Sequence, residues 1–331
     1  MPVLASVLAA LIPILIYLYL IWRYDRFDPE PVSLYLKNFI WGAVGAILLS
    51  IVGNFFMSSF FSIFITDKHL LAHAETVIIA PVVEELTKGV FLLITVANRK
   101  FDNMTDGIVY GGAIGLGFGM TENFLYFIMF GNTFSEWIFL VIVRTLFTAV
   151  MHCVSTATFG AFLGYAKFRP VWIKILFPPL GLFLAMFIHF AWNYSVSFDN
   201  TSIHGFLFLI GSIIIFLFTF KISVLNEKKL IYNELKEESS NGLIPEKHLT
   251  ILNSTIREHK GWIDESIRKP YIKAATTLAF RKMQLKNSSG FNRLFYENEV
   301  NFHRQFLEGL LKEKDNEEFN LYLPGSDQPD L

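Results

Sequence analysis

Four apolar stretches of this sequence each contain ionisable or amide side chains. The stretch APVVEELTKG carries Glu84, Glu85 and Lys88. The other three carry Glu122 with Asn123, His152, and His189 with Asn193. A carboxylate can take a proton from water, a histidine can assist, and imidazole or amide N–H groups can stabilise an oxyanion. These residue types predict hydrolysis by an activated water.

The spacing limits how these side chains can pair within their own helices. Glu84 and Lys88 are four residues apart and could form an ion pair, but Glu85 lies about 100° around the helix. The trio therefore has a surplus negative charge, and the sequence leaves open which glutamate is the base. Glu122 could act in the site or as the partner of a histidine or of Lys88.

The depth of these groups in a membrane predicts a single shared site. At a rise of ~1.5 Å per residue, Glu84, Glu122, His152 and His189 lie about 16–25 Å from the cytoplasmic ends of their helices. Ionisable groups inside a bilayer are expensive and usually face the interior of the bundle. Four helices that each bring such a group to a similar depth favour one catalytic centre over scattered structural roles.

The elements that position these residues are predicted from composition. The 331 residues are 53% hydrophobic and only 17% charged, and Lys and Arg number 11 in residues 1–220 and 17 in residues 221–331. A membrane span needs about 20 apolar residues. On this basis the sequence predicts an all-α polytopic membrane helix bundle with seven spans, at 3–22, 39–65, 76–97, 107–130, 137–163, 172–196 and 204–221.

Loop charges predict the direction of the chain. Loops one, three and five, counted together with Lys174 at the start of the sixth span, carry eight Lys and Arg, whereas loops two, four and six carry one. Because positive loops stay in the cytoplasm, we expect the N-terminus outside and the C-terminus inside. The domains are then a membrane domain over 1–225 and a small helical cytoplasmic tail over 226–331, with a turn at 241–245 and disorder from about 315.

Other features narrow the function classes. The net charge of −1 gives no basic excess, so nucleic acid is not an expected partner. The single cysteine, Cys153, excludes an intrachain disulfide, and its side chain should point away from that of His152. Gly107, Gly111, Gly115 and Gly119 recur at every fourth position, which predicts a face where helix backbones approach closely.

The motifs together resemble a known family. PVVEELTK, the Glu122–Asn123 pair, the lone His152 and the HxxxN motif at 189–193 are similar to the PrsW family of intramembrane proteases, within the CPBP (CAAX-protease-like) superfamily. The segment YDRFDPEP in the first loop also resembles that family. The resemblance covers about 1–225. The EExxK spacing favours the PrsW branch over the CAAX branch, which argues against a prenylated protein as substrate.

The resemblance implies glutamate-dependent peptide-bond hydrolysis inside a bacterial cell membrane. We expect no cofactor or metal, because the Glu–Glu–Lys trio needs none and the candidate ligands come from three helices. By position, Glu84 with His152 would activate the water, His189 and Asn193 would hold the oxyanion, and Glu85 and Lys88 would tune Glu84. The substrate would be a single-span membrane protein, with site-1-type cleavage of an anti-sigma-factor-like regulator as the narrower expectation. The tail would bind a cytosolic partner or pack beneath the bundle.

Three alternatives stay open at this point. Glu84 or Glu85 with His152 and His189 could form a zinc site of two histidines and one carboxylate. Intramembrane Glu and His side chains could also relay protons in a transporter, although the sequence has no internal repeat. A membrane scaffold that presents the tail to cytosolic proteins is the third.

Overall fold

The computed structural model describes residues 2–198 and 200–322, with side chains described up to residue 312. Every regular element in this part of the chain is a helix, which confirms the all-α fold class. The chain divides into two compact units between Val224 and Leu225. We describe each unit separately.

Seven long helices lie in, or begin in, the first unit. They are α1 (Val3–Tyr24), α2 (Val32–Phe61), α3 (68–97), α4 (Met104–Phe130), α5 (Phe134–Lys167), α6 (Val171–Val196) and α7 (Ser202–Ser240). All except α3 are long and apolar enough to cross a membrane. Helix α3 carries Glu84, Glu85 and Lys88 in its apolar part. The polytopic bundle is confirmed, whereas the number of seven spans and the sides of the termini stay predictions.

Helices α2, α3 and α5 each widen into a π turn, at Trp41–Ala46, Glu75–Ile79 and Arg144–Thr148. Such turns disturb the i→i−4 ladder and are frequent at functional sites. In each turn a carbonyl oxygen accepts a hydrogen bond from a side chain of another helix. The pairs are Thr121 Oγ1 to Ala43 O at 2.8 Å, Asn193 Nδ2 to Thr76 O at 3.0 Å, and Asn123 Nδ2 to Arg144 O at 3.3 Å.

The glycine face of α4 packs directly on the backbone of α5, as the four-residue spacing predicts. A Cβ atom added to Gly107 would lie 1.9 Å from the carbonyl oxygen of Gly160, and one added to Gly115 would lie 2.1 Å from that of His152. Gly111 and Gly119 also face α5 at close range. Only a helix without side chains on this face can approach so closely, so the glycines fix the distance between α4 and α5.

The first loop, between α1 and α2, is held against α4 by buried polar contacts. The Tyr110 hydroxyl donates a hydrogen bond to the Glu30 carboxylate, and Trp22 Nε1 donates to the Glu30 carbonyl at 2.9 Å. Burial, followed by the nearby carboxylates of Asp106 and Asp25, raises the pKa of Glu30 well above its ordinary value. Glu30, in the segment YDRFDPEP of the first loop, is thus part of the packed interior of the first unit.

The second unit is helical, with α8 (Glu246–Leu252), a 3₁₀ turn (Thr255–Glu258), α9 (Glu265–Lys286) and α10 (Gly290–Tyr322) following the end of α7. Lys282 and Arg304 both bind the buried Glu238 carboxylate, at 2.5 and 2.7 Å. The predicted turn at 241–245 contains Gly242 at φ 80°. Helix α10 continues past the predicted start of disorder near 315, and the rest of that prediction, 323–331, lies outside the described residues.

The glycine face predicts a stability change. We expect Gly107→Ala to lower the midpoint of thermal unfolding in detergent, because a methyl group forces α4 and α5 apart and overpacking typically costs about 1–3 kcal/mol. The matched control is Gly211→Ala in α7, where an added Cβ meets no atom within 4 Å. That change should leave the midpoint equal or higher. Equal midpoints for the two variants would contradict the proposed packing role.

Candidate active site

Six of the seven predicted site residues lie in one connected cluster at the meeting point of α3, α4, α5 and α6. Glu84, Glu85 and Lys88 come from α3, and Glu122 comes from α4. His152 comes from α5 and His189 from α6, and the centroids of their rings are 4.8 Å apart. The two rings and the three α3 side chains are buried. Four separate sequence motifs therefore form a single site.

Glu85 has the most partners in this cluster. Its Oε1 atom accepts hydrogen bonds from Lys88 Nζ at 2.8 Å and Ser155 Oγ at 3.1 Å, and lies 3.0 Å from His189 Nδ1. Its Oε2 atom accepts from Thr156 Oγ1 at 3.0 Å. Both oxygens are thus occupied by the protein. Glu85 has the environment of a fixed anion that holds α3, α5 and α6 together.

Glu84 lies in a different environment. Its Oε2 atom is buried and has no hydrogen-bond partner among the described residues. Lys88 Nζ lies 3.7 Å and His189 Nε2 lies 3.8 Å from this atom, both beyond hydrogen-bond distance. A buried carboxylate oxygen without a partner is unfavourable.

The two histidines differ in which nitrogen is available. His152 has Lys88 Nζ 2.9 Å from Nδ1 and Glu122 Oε2 2.7 Å from Nε2. An ammonium only donates and a carboxylate only accepts, so this arrangement assigns the proton of His152 to Nε2. His189 uses Nδ1 to donate to Glu85, which leaves its Nε2 atom open towards Glu84.

Glu122 connects the site to a buried arginine. Arg144 Nη2 lies 2.8 Å from Glu122 Oε2, and its guanidinium stacks 3.6 Å from the centre of the Tyr126 ring. Arg144 Nε also donates to Asn123 Oδ1 at 3.1 Å. The ion pair compensates the charge of Glu122, so this residue serves as the partner that orients His152.

Asn193 is the predicted residue that lies apart from the cluster. Although it is one turn from His189 on α6, its amide donates to the Thr76 carbonyl at 3.0 Å. Conversely, Ser155, Thr156 and Arg144 bind the site carboxylates without having been predicted as site residues. Ser155 and Thr156 lie three and four residues after His152, so their shared helix face was the available signal.

The cluster also contains a possible set of metal ligands. Glu84, His152 and His189 each offer one ligand atom, and these atoms all lie within 4.8 Å of one another. Two histidines and one glutamate are a donor set found in catalytic zinc sites. Two of these ligand groups, Glu84 Oε2 and His189 Nε2, are free to bind, whereas His152 would have to exchange one of its two hydrogen bonds.

Comparison with known proteins identifies the family of this chain. The family described as PrsW family intramembrane metalloprotease matches residues 30–222, which include the whole cluster. The chain belongs to the PrsW family. It is therefore an intramembrane protease of the cell membrane, with several membrane-spanning helices. Membership of this family decides against the transporter and scaffold alternatives.

Curated members of the PrsW family are similar to this chain over about half to two thirds of its length. Protease PrsW of Bacillus subtilis (strain 168) is 27% identical over 216 residues, which are 63% of this chain and 87% of that protein. Protease PrsW of Oceanobacillus iheyensis is 33% identical over 162 residues, which are 48% of this chain and 68% of that protein. Protease PrsW of Clostridioides difficile (strain 630) is 29% identical over 163 residues, which are 49% of this chain and 66% of that protein. No solved structure matches the chain.

The different environments of the two glutamates predict different mutant behaviour. Glu85→Gln removes a fully bonded anion and leaves the buried Lys88 ammonium without its closest counter-charge. We expect a loss of about 3–5 kcal/mol in the free energy of unfolding. Glu84→Gln removes no hydrogen bond, so it should unfold at a midpoint equal to or above that of the wild type. Thermal unfolding of both variants in detergent checks this, and the reverse order would refute the assignment.

Proposed function

We propose that this protease hydrolyses peptide bonds of membrane-protein substrates with Glu84 as the general base. The observation that carries the proposal is the buried Glu84 Oε2 atom, which has no partner among the described residues, whereas both oxygens of Glu85 accept hydrogen bonds from the protein. A general base needs an oxygen that can accept a proton from water. Glu84 is free to do so, and Glu85 is not.

The attacking water of this proposal is one that contacts both Glu84 and His189. Glu84 Oε2 and His189 Nε2 are 3.8 Å apart, and one water can contact both atoms at hydrogen-bond distances of about 2.8 Å. Glu84 takes a proton as the water oxygen attacks the scissile carbonyl carbon. The same proton then passes to the leaving nitrogen when the C–N bond breaks. Glu85 keeps the His189 ring oriented through Nδ1 during both steps.

Lys88 supplies positive charge where negative charge develops. Its ammonium lies 3.7 Å from Glu84 Oε2 and is held by Glu85 and His152. A fixed cation in a water-poor site stabilises an oxyanion far more than it would in bulk water. We propose Lys88 for this role, because His189 donates its proton from Nδ1 to Glu85 and its Nε2 atom is then an acceptor. Asn193, which the family resemblance assigns to it, donates to Thr76 instead.

A zinc-dependent mechanism is the second candidate, and the Glu84–His152–His189 set favours it. These three residues would hold the ion, which would supply Lewis-acid activation of water. The residue types fit, and the unpartnered Glu84 Oε2 atom is a suitable ligand. The Lys88 ammonium counts against this candidate, because it already contacts His152 and lies close to Glu84. We therefore favour hydrolysis without a metal.

The substrate class we propose is a single-span membrane protein, and an anti-sigma-factor-like regulator cut on its extracytoplasmic side is the narrower proposal. Two features support it, the buried site within apolar helices and the family membership. The role of the second unit in substrate or partner binding stays a prediction.

Cleavage of single-span peptides by the detergent-purified protein tests the base. We expect Glu84→Gln to lower turnover by about 10³-fold or more, because the water loses its proton acceptor while the fold is kept. The matched control is Cys153→Ala, which changes a buried neighbour of His152 and should keep full activity. Equal cleavage by wild type and Glu84→Gln would refute the proposal.

The same assay separates the two mechanisms. Hydrolysis without a metal predicts that prolonged treatment with a chelator leaves turnover unchanged and that the purified protein contains less than one zinc per ten chains. Loss of activity on chelation, with recovery on adding zinc, would instead establish the metal-dependent candidate.

A further inference from the structure

The π turn in α3 leaves one backbone carbonyl without a backbone partner. The N–H of Ala80 donates to Glu75 O, five residues back, so it is not available to Thr76 O. The next donor in this register is residue 81, which is proline and has no N–H. Thr76 O therefore cannot be satisfied by its own helix. An unsatisfied carbonyl is costly wherever water is scarce, above all in lipid.

Asn193 supplies the donor that Pro81 lacks. Its Nδ2 atom donates to Thr76 O at 3.0 Å from α6. This bond joins α6 to the helix that carries Glu84 and Glu85, at a carbonyl eight residues before Glu84. The same face of α6 carries His189, whose Nδ1 atom lies 3.0 Å from Glu85 Oε1. Helix α6 is thus attached to α3 at two points, one helical turn apart on α6.

We propose that Asn193 is a positioning residue that sets the height and rotation of α6 against α3, and thereby the separation of His189 Nε2 from Glu84 Oε2. The bond from His189 to Glu85 attaches α6 to α3 at one polar contact. The second bond, from Asn193 to Thr76, adds a polar contact one turn away and so fixes the height and rotation of α6 at the site. The inference rests on the proposed roles of Glu84 and His189, and it assigns Asn193 to the alignment of these two groups rather than to the oxyanion.

A double-mutant cycle with Pro81 tests the proposal on activity. Asn193→Ala should lower kcat about 10–100-fold with little change in KM, because alignment of the reacting groups is lost. Pro81→Ala restores an N–H in register with Thr76 O. We therefore expect the fold-reduction in kcat caused by Asn193→Ala to be at least five times smaller in the Pro81→Ala background than in the wild type. If Asn193 instead donated to the oxyanion, Asn193→Ala would lower kcat by the same factor in both backgrounds. That result would overturn the proposal.

Thermal unfolding of the same four proteins supplies a readout that does not depend on catalysis. The midpoint should fall by a few degrees in Asn193→Ala and by less in the double variant. Should Asn193→Ala fail to fold, Asn193→Leu, which is similar in size and has no donor, replaces it in the cycle. No coupling between the two positions in the midpoint would refute the bond itself, even for a protein without measurable activity.

Coupling in the midpoint without coupling in kcat per folded molecule would show a purely structural bond and would also overturn the proposal. An effect of Asn193→Ala that is smaller in the Pro81→Ala background for both quantities is the expected result. If instead Glu84→Gln retains full activity, the proposed base is wrong, whereas the midpoint cycle still reports on Asn193. The two failures are therefore distinguishable.

Discussion

The buried ion pair between Lys88 and Glu85 is the interaction on which the rest of the site depends. A charge in an apolar helix bundle is tolerated only when it is paired and hydrogen-bonded. Glu85 therefore draws donors from α3, α5 and α6, and the Lys88 ammonium binds His152 on its other side. Because these donors bind Glu85 and not Glu84, the Glu84 Oε2 atom has no hydrogen-bond partner among the described residues. One glutamate therefore holds the helices together, and the other is available for chemistry.

Much of this arrangement follows from the sequence. The apolar lengths predict the helices, and the rarity of polar groups inside them singles out Glu84, Glu85, Lys88, His152 and His189, which the fold brings together. The glycine spacing likewise predicts the α4–α5 contact, because a backbone contact requires residues without side chains at every fourth position. These features depend on residue types and their spacing along the chain, so the sequence alone predicts them.

Other features depend on relations between helices that no single stretch encodes. The sequence could not separate Glu84 from Glu85, because their difference lies in the hydroxyl groups of Ser155 and Thr156 on another helix. It also gave no sign of the π turns, which change the register by one residue and redirect Asn193 to a backbone carbonyl. The proline at position 81 signals a break in the ladder, but not which side chain repairs it.

The close contact between α4 and α5 also has a consequence for how the protein assembles during synthesis. The two helices are neighbours in the chain and are joined by only three residues, 131–133, so their pairing has low contact order and should form early. Glu122, Arg144 and His152 all lie on this hairpin and can pair before α6 has left the ribosome. Pairing within the hairpin should therefore neutralise Glu122 before α6 is in place, and His189 should complete the site last.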